Sequence, residues 1–308
     1  MFEETLTQLK VSLANPVNRV FPLKEAIRVA KAKLSFAFYE NSETKIIINE
    51  YSNFISEVLG LAWDEFSWTE NNKSWRKSRI SLLAVGGFGR KELLPHSDID
   101  ILILLERNDV HLNKDNIQSF VTLLWDVGLN VGHSVRSLRD CKQEALSDVT
   151  SLTSMSEARI IRGNLILLQK LDALLHPKKI WQKKKFYLAK ANEQKIRHEK
   201  SDYTEYSLEP NVKTSPGGLR DIQTLQWIAT RTFATKDLME LVGKQIISSL
   251  EYESLVEARA FLWKVRFGLH IITGRDENRL LFSHQQSLAK HMNYHDKDQL
   301  AVEQFMKD

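Results

Sequence analysis

The sequence predicts an α+β protein, a small mixed-sheet α/β domain with a helical domain packed against it. Three observations carry this. Two apolar runs of strand length, Ser81–Val85 and Ile99–Leu105, frame a spacer that contains glycine and proline. From residue 140 onward the apolar positions recur with helical period. The 12 glycines and 6 prolines among 308 residues leave few turns and long helices. Strands first and helices after is the order of such a fold.

Taken along the chain, residues 22–60 read as helix, with Leu23, Ile27, Ala30, Leu34, Phe38, Ile48, Ile55 and Leu59 at near-helical spacing. Asn71-Asn72-Lys73-Ser74 reads as a loop. Residues 81–85 and 99–105 are strands, and the second, apolar on both faces, is a central one. A helix over 116–127 and a third strand over 130–138 follow. Helices are expected over 140–147, 164–175, 178–200, 216–232, 237–242, 248–274 and 284–292. Trp263 and Phe267 are core candidates on the longest of them. Lys183, Lys184, Lys185 and Lys190 read as a solvated basic face. The expected domains are an N-terminal helical segment, 1–75, a catalytic α/β domain, 76–163, and a helical domain, 164–308.

Composition excludes several classes. A net charge of +4, with no basic stripe interleaved with aromatics, does not argue for nucleic acid. No apolar run is long enough to span a membrane. The start Met1-Phe2-Glu3-Glu4 lacks the pattern of a signal peptide. The lone cysteine, Cys141, cannot form an intrachain disulfide. A cytoplasmic protein is the expectation.

Chemistry concentrates in residues 85–101, Val-Gly-Gly-Phe-Gly-Arg-Lys-Glu-Leu-Leu-Pro-His-Ser-Asp-Ile-Asp-Ile. Asp98 and Asp100 open a strand, so alternation sets both on one face. Two carboxylates this close call for a hard, oxygen-preferring cation between them, Mg²⁺ or Mn²⁺, which is also the companion of a nucleoside triphosphate. Gly86 and Gly87 end the preceding strand, and without Cβ they admit a phosphate to the backbone N–H groups. Ser97 is a candidate for the β- or γ-phosphate. Arg90 is either a phosphate ligand or the partner of a distant carboxylate. Arg90 and Glu92, two apart, share no helix face, and Glu92 reads as structural. The string is neither a Walker motif nor Gly-x-Gly-x-x-Gly, since Glu92 occupies the last glycine position.

The glycine pair, the spacer and the Asp-x-Asp resemble the nucleotidyltransferase superfamily. The longer string, together with Gly132-His133-Ser134-Val135-Arg136 and Leu208-Glu209-Pro210 continuing to Ser215-Pro216-Gly217-Gly218-Leu219-Arg220-Asp221-Ile222, resembles the bacterial PII uridylyltransferase/uridylyl-removing enzymes. The resemblance implies a polymerase-beta-like nucleotidyltransferase fold. It implies transfer of UMP from UTP to a tyrosine of the nitrogen-signalling protein PII, with release of pyrophosphate. Members continue into a hydrolytic HD domain and two regulatory ACT domains, so the chain is expected to be a fragment. In the 208–221 loop, Glu209, Asn211 and Lys213 share a face if the segment is extended. Lys213 is a candidate for triphosphate charge, and Arg220 for the same role or for pairing with Asp221.

One departure stands out. The superfamily places a third carboxylate on the third strand, where this chain has Gly132. Asp140 and Glu157 are the through-space substitutes to test. Two alternatives stay open, the second because of this missing acid. One is adenylylation of glutamine synthetase or another protein. The other is a degenerate nucleotide-binding sensor.

Overall fold

The computed structural model describes residues 1–14, 18–68, 79–106, 110–200, 208–235 and 237–308, with 110–112 as backbone only. The expected loop at 71–74 lies outside the described residues. The chain divides into two units, Met1–Ser35 with Ile46–Ile180 and Phe36–Lys45 with Trp181–Asp308. The boundaries expected at 75/76 and 163/164 thus differ from those of the folded units.

The first unit holds α1 (Glu3–Ala14), most of α2 (Val20–Tyr39) and α3 (Thr44–Asp64), then β1 (Ile80–Ala84), α4 (Gly86–Gly89), β2 (Ile99–Leu105), α5 (Val110–Asp126), β3 (Val131–Ser137), α6 (Leu138–Ser147), α7 (Val149–Ser156), β4 (Arg159–Gly163) and α8 (Leu165–Leu174). The single helical stretch expected over 22–60 is two helices. Asn41 takes a left-handed φ of 54°, which an asparagine tolerates and a continuous helix cannot contain.

The sheet order is β3-β2-β1-β4. β1 pairs antiparallel with β2 and β4, and β2 pairs parallel with β3, so the sheet is mixed. β2 is the central strand expected from its two apolar faces, with Ile99 and all of Ile101–Leu105 buried. β4 had no counterpart in the sequence reading, which left 148–163 without an element. Arg159-Ile-Ile-Arg-Gly163 is short and flanked by arginines, and pairing with β1 makes it a strand. Alternation is not visible in so short a segment. Cys141 is buried on α6, and burial pushes its thiol up to about 12, so it is inert.

The second unit holds α9 (Lys183–Glu199), α10 (Leu219–Phe233), α11 (Met239–Gly243), α12 (Ser249–Thr273), α13 (Phe282–His291) and α14 (Ala301–Lys307). α12 starts at a Ser248–Glu251 capping box and stops at Gly274 in the left-handed region. Its Trp263, Val265, Phe267 and Leu269 are buried, as expected for the first and third. The basic run needs a correction. Lys183, Lys184 and Lys185 are exposed, but the Lys190 side chain is fully buried. Its ammonium lies 2.7 Å from Glu193 and 4.2 Å above the Trp227 ring. One turn of helix beyond the run carries it to the face that packs on α10, where an aromatic ring accommodates the charge.

Candidate active site

β1 ends where β2 and β3 begin, so three strand termini meet at one end of the sheet. β1 and β2 run antiparallel, and the Val85 N–H donates to the Asp100 carbonyl at 3.0 Å. That bond joins the exit of the first strand to the entry of the second. Gly86 then turns at φ +55°, a conformation that side chains disfavour. A Cβ there would lie 3.4 Å from Asp100 Oδ2 and from Ser154 Oγ. Gly86 and the Asp100 carboxylate are therefore neighbours, as the motif spacing suggested.

The one-turn helix α4 is clamped from beneath. Leu93 N–H donates to Ser52 Oγ at 3.0 Å. Arg159 donates to Ser56 Oγ at 3.0 Å and to the Phe88 carbonyl at 3.2 Å, and stacks over the Phe88 ring. Phe88 is buried. A Cβ at Gly89 would sit 2.2 Å from the Glu157 carbonyl oxygen, so only glycine fits. Gly87 differs: the nearest atom to its Cβ position is Arg90 Nη2, at 3.7 Å.

Arg90 does not fit the expectation that it and Glu92 stand apart. Lys91, at φ 62°, ends the helical turn and folds Glu92 back. Arg90 Nε then lies 2.8 Å from Glu92 Oε2, and Nη1 lies 2.6 Å from Glu157 Oε2. All three side chains are mostly buried. Burial works against the Arg90 charge, but the two carboxylates outweigh it and raise its pKa. Arg90 thus has a distant carboxylate as partner, Glu157, which is one of its two sequence alternatives.

Asp98 and Asp100 flank Ile99 at the entry to β2, Asp98 exposed and Asp100 half-buried. Asn130 Nδ2 donates a short hydrogen bond to Asp98 Oδ1. Sequence reasoning gave Asn130 no role. Its only signal was its place at the start of the third strand expected over 130–138. Gly132 pairs with Asp100 across the parallel ladder. A Cβ at Gly132 would come within 2.7 Å of Asp100 Oδ1. The carboxylate thus leans over the glycine, and a third acid on that position would displace it. The two substitutes are engaged elsewhere. Asp140 accepts from Ser137 N and Oγ as a helix cap, and Glu157 holds Arg90. Among the described residues no group of three His, Cys, Asp or Glu side chains could hold a metal. Two carboxylates still make a fitting donor set for a hard cation, which takes its remaining oxygens from phosphate and water.

Asp98, Asp100, Gly86 and Gly87 are brought together at one end of the sheet, and Ser97 lies in the loop that joins them. Lys213 belongs to the second unit. There the 208–221 loop is a turn, not an extended segment. Asn211 Oδ1 accepts from Lys213 N and Thr214 N at 3.0 Å, and Asn211 N donates to Ser215 Oγ at 2.9 Å. This side-chain turn removes the shared face expected for Glu209, Asn211 and Lys213. Val212 N donates to the Asn278 carbonyl at 2.9 Å, tying the loop to the segment after α12. Asp276 in that segment pairs with Arg266 at 3.1 Å and His270 at 2.9 Å. Burial pushes the Asp276 carboxyl up. The His270 hydrogen bond and the charges of Arg266 and Lys213 outweigh that and hold it well below the carboxylate range. Asp221 bonds Arg197, His198 and Gln194, not Arg220, which stacks on Trp227.

Comparison with known proteins accords with this geometry. Residues 67–143 match the nucleotidyltransferase domain family, and residues 185–308 match the family described as GlnD PII-uridylyltransferase. A bifunctional uridylyltransferase/uridylyl-removing enzyme of Stutzerimonas stutzeri (strain A1501) is 45% identical over 302 residues, 98% of this chain and 33% of the relative. Proteins of the same name from Azotobacter vinelandii and Pseudomonas savastanoi pv. phaseolicola are each 44% identical over 301 residues, 97% of this chain and 33% of theirs. The chain spans about a third of the length of the curated relatives it matches.

Proposed function

We propose that this chain, which belongs to the bifunctional uridylyltransferase/uridylyl-removing enzyme family, carries the nucleotidyl-transfer site and moves UMP from UTP to a tyrosine of PII. The observation that supports this best is the carboxylate pair Asp98 and Asp100 beside the left-handed glycine turn that ends β1. A glycine turn and two acids at one sheet end suit a triphosphate and its cation, not a sugar or an acyl group. The tyrosine acceptor and UTP as donor rest on the family resemblance, and uridylyl transfer to PII on the names of the matched families.

In the reaction, the tyrosine oxygen bonds to the α-phosphorus of UTP, and the α–β anhydride bond breaks. Pyrophosphate leaves with the electron pair, and the phenol gives up its proton to solvent. Asp98 and Asp100 would hold the divalent cation, Mg²⁺ or Mn²⁺, which supplies charge stabilisation to the phosphates and the leaving group. Asn130 orients Asp98 through its amide. Gly132 makes room for Asp100. The α4 turn offers N–H groups that have no acceptor within so short a helix. Arg90, Glu92 and Glu157 hold that turn rigid. Lys213 is proposed to add positive charge for the triphosphate. As functional segments, residues 1–75, 76–163 and 164–308 are proposed to be helical, catalytic and helical, although the folded units divide elsewhere, and the proposed site of action is the cytoplasm.

The test is a panel of nucleoside triphosphates with Mg²⁺ and purified PII, scored by protein mass and pyrophosphate release. UMP addition to PII is the expected outcome. AMP addition to another protein would turn the reading to adenylyl transfer. Nucleotide binding without pyrophosphate release would favour the sensor, which the glycine at position 132 keeps in play.

A further inference from the structure

We infer that the open edge of β3 docks the acceptor, pairing with an extended segment of the acceptor protein that lays its tyrosine across Gly132 toward Asp100. This rests on the nucleotidyl-transfer reading above.

The sheet has two edges, and they are built differently. β4 is five residues long, its pairing slips between Leu82 and Leu83 of β1, and it carries Arg159 and Arg162. Short length, a bulge and charge are the usual devices that keep an edge from pairing with another chain. β3 is seven residues long and pairs with β2 in unbroken register from Val131 to Ser137. It has no proline, no lysine and no bulge, and Arg136, tied to Glu144 at 3.3 Å, is its one charged side chain. Gly132 and His133 in its first half are exposed.

The hydrogen-bond phase of β3 can be read from its entry. Ile99 N donates to the Asn130 carbonyl at 2.9 Å. In a parallel ladder the residues of a strand alternate between facing one neighbour and the other. Asn130, Gly132, Ser134 and Arg136 therefore turn their backbone groups to β2. Val131, His133 and Val135 turn theirs outward, and among the described residues no strand takes them up. An extended chain added there would make bonds from alternate residues, the ordinary mode of strand addition.

Register connects this edge to the reaction. A new strand would lie about 4.8 Å beyond β3, and β2 lies about the same distance on its other side. The residue between them, opposite Asp100, is Gly132. Any side chain on that position would block the way, and the 2.7 Å gap from its Cβ position to Asp100 Oδ1 shows that the carboxylate already leans toward the edge. A long flat side chain on the docked segment can lie over the bare glycine and bring its hydroxyl to the acids. The position that lacks the superfamily's third carboxylate becomes the path of the acceptor.

The test uses His133→Pro. The outward N–H is the one lost, so the β2 ladder stays intact, and proline is tolerated on an edge strand with its nitrogen facing out. The expected result is a rise of at least tenfold in KM for PII, with KM for UTP unchanged and the melting temperature within a few degrees. His133→Ala, which keeps the N–H, should behave like the unsubstituted chain. Hydrogen exchange of the unsubstituted chain answers independently of folding: the His133 and Val135 amides should slow when PII is added. A folded His133→Pro with unchanged KM for PII overturns the inference alone, as does unchanged exchange at saturating PII. Failure of the unsubstituted chain to modify PII overturns the function reading and this inference with it.

Discussion

Replacing Gly87 by valine separates a glycine needed by the fold from one needed by a ligand. In the folded chain Gly87 lies outside the left-handed region, so its backbone suits any residue. Its Cβ would meet one atom within 4 Å, Arg90 Nη2 at 3.7 Å, an ordinary van der Waals contact. The protein itself therefore sets no barrier to a Cβ at this position, and filling it should move the melting temperature by only a few degrees. The position does sit at the start of the turn proposed to receive the triphosphate. Blocking one backbone N–H from a phosphate removes a hydrogen bond to a charged group, worth about 1.5–3 kcal/mol. At about 1.4 kcal/mol per factor of ten, affinity should fall by roughly 10- to 150-fold. Calorimetric titration with UTP and Mg²⁺ reads this directly, and Gly87→Ala should fall between. Gly89→Ala is the contrasting control, since the Glu157 carbonyl 2.2 Å away should make it unfold or rearrange. A folded Gly87→Val with UTP affinity within about twofold of the unsubstituted chain would refute the triphosphate contact.

Asp98→Asn and Asp100→Asn should each lose transfer while keeping their melting temperatures, because a lost ligand removes several kcal/mol of charge stabilisation. Turnover above about a tenth of the original, a loss of only roughly 1.4 kcal/mol, would exclude the metal assignment. Lys190→Ala should destabilise the chain by roughly 2–5 kcal/mol, as truncation of other long buried side chains does. Urea titration checks it, and a change below about 0.5 kcal/mol would return Lys190 to the solvated face. His270, its pKa lowered by burial, and Asp276, its carboxyl held low, both stabilise more as pH rises. Melting temperature should therefore drop as pH falls through about 6.5, and again below about 4 as Asp276 protonates. In Asp276→Asn the lower step should shrink, since Asp140, Asp148 and Glu277 are also held low and keep part of it, and curves that stay parallel below pH 5 would count against its ion pairs.

Residues 85–101 determined the heart of the candidate site by themselves, because their geometry is local. A strand alternates its side chains, so Asp98 and Asp100 share a face wherever the strand lies. A glycine pair ends a strand by backbone sterics alone. The apolar run of Ile99–Leu105 likewise announced a central strand. What the tertiary structure decided was everything that depends on a partner distant in sequence. Arg90 found Glu157 because β4 enters beside β1, and β4 itself exists only through that pairing. Gly132 became intelligible once parallel register set it against Asp100. Lys190 left the surface because α10 placed Trp227 over it. The 208–221 loop coiled because Asn211 and Ser215 bonded their own backbone, a competition among short hydrogen bonds that the residue types permit but do not resolve. Local sterics are carried by adjacent residues and can be read from them, whereas register and ion pairing are set by which segments the whole chain buries together.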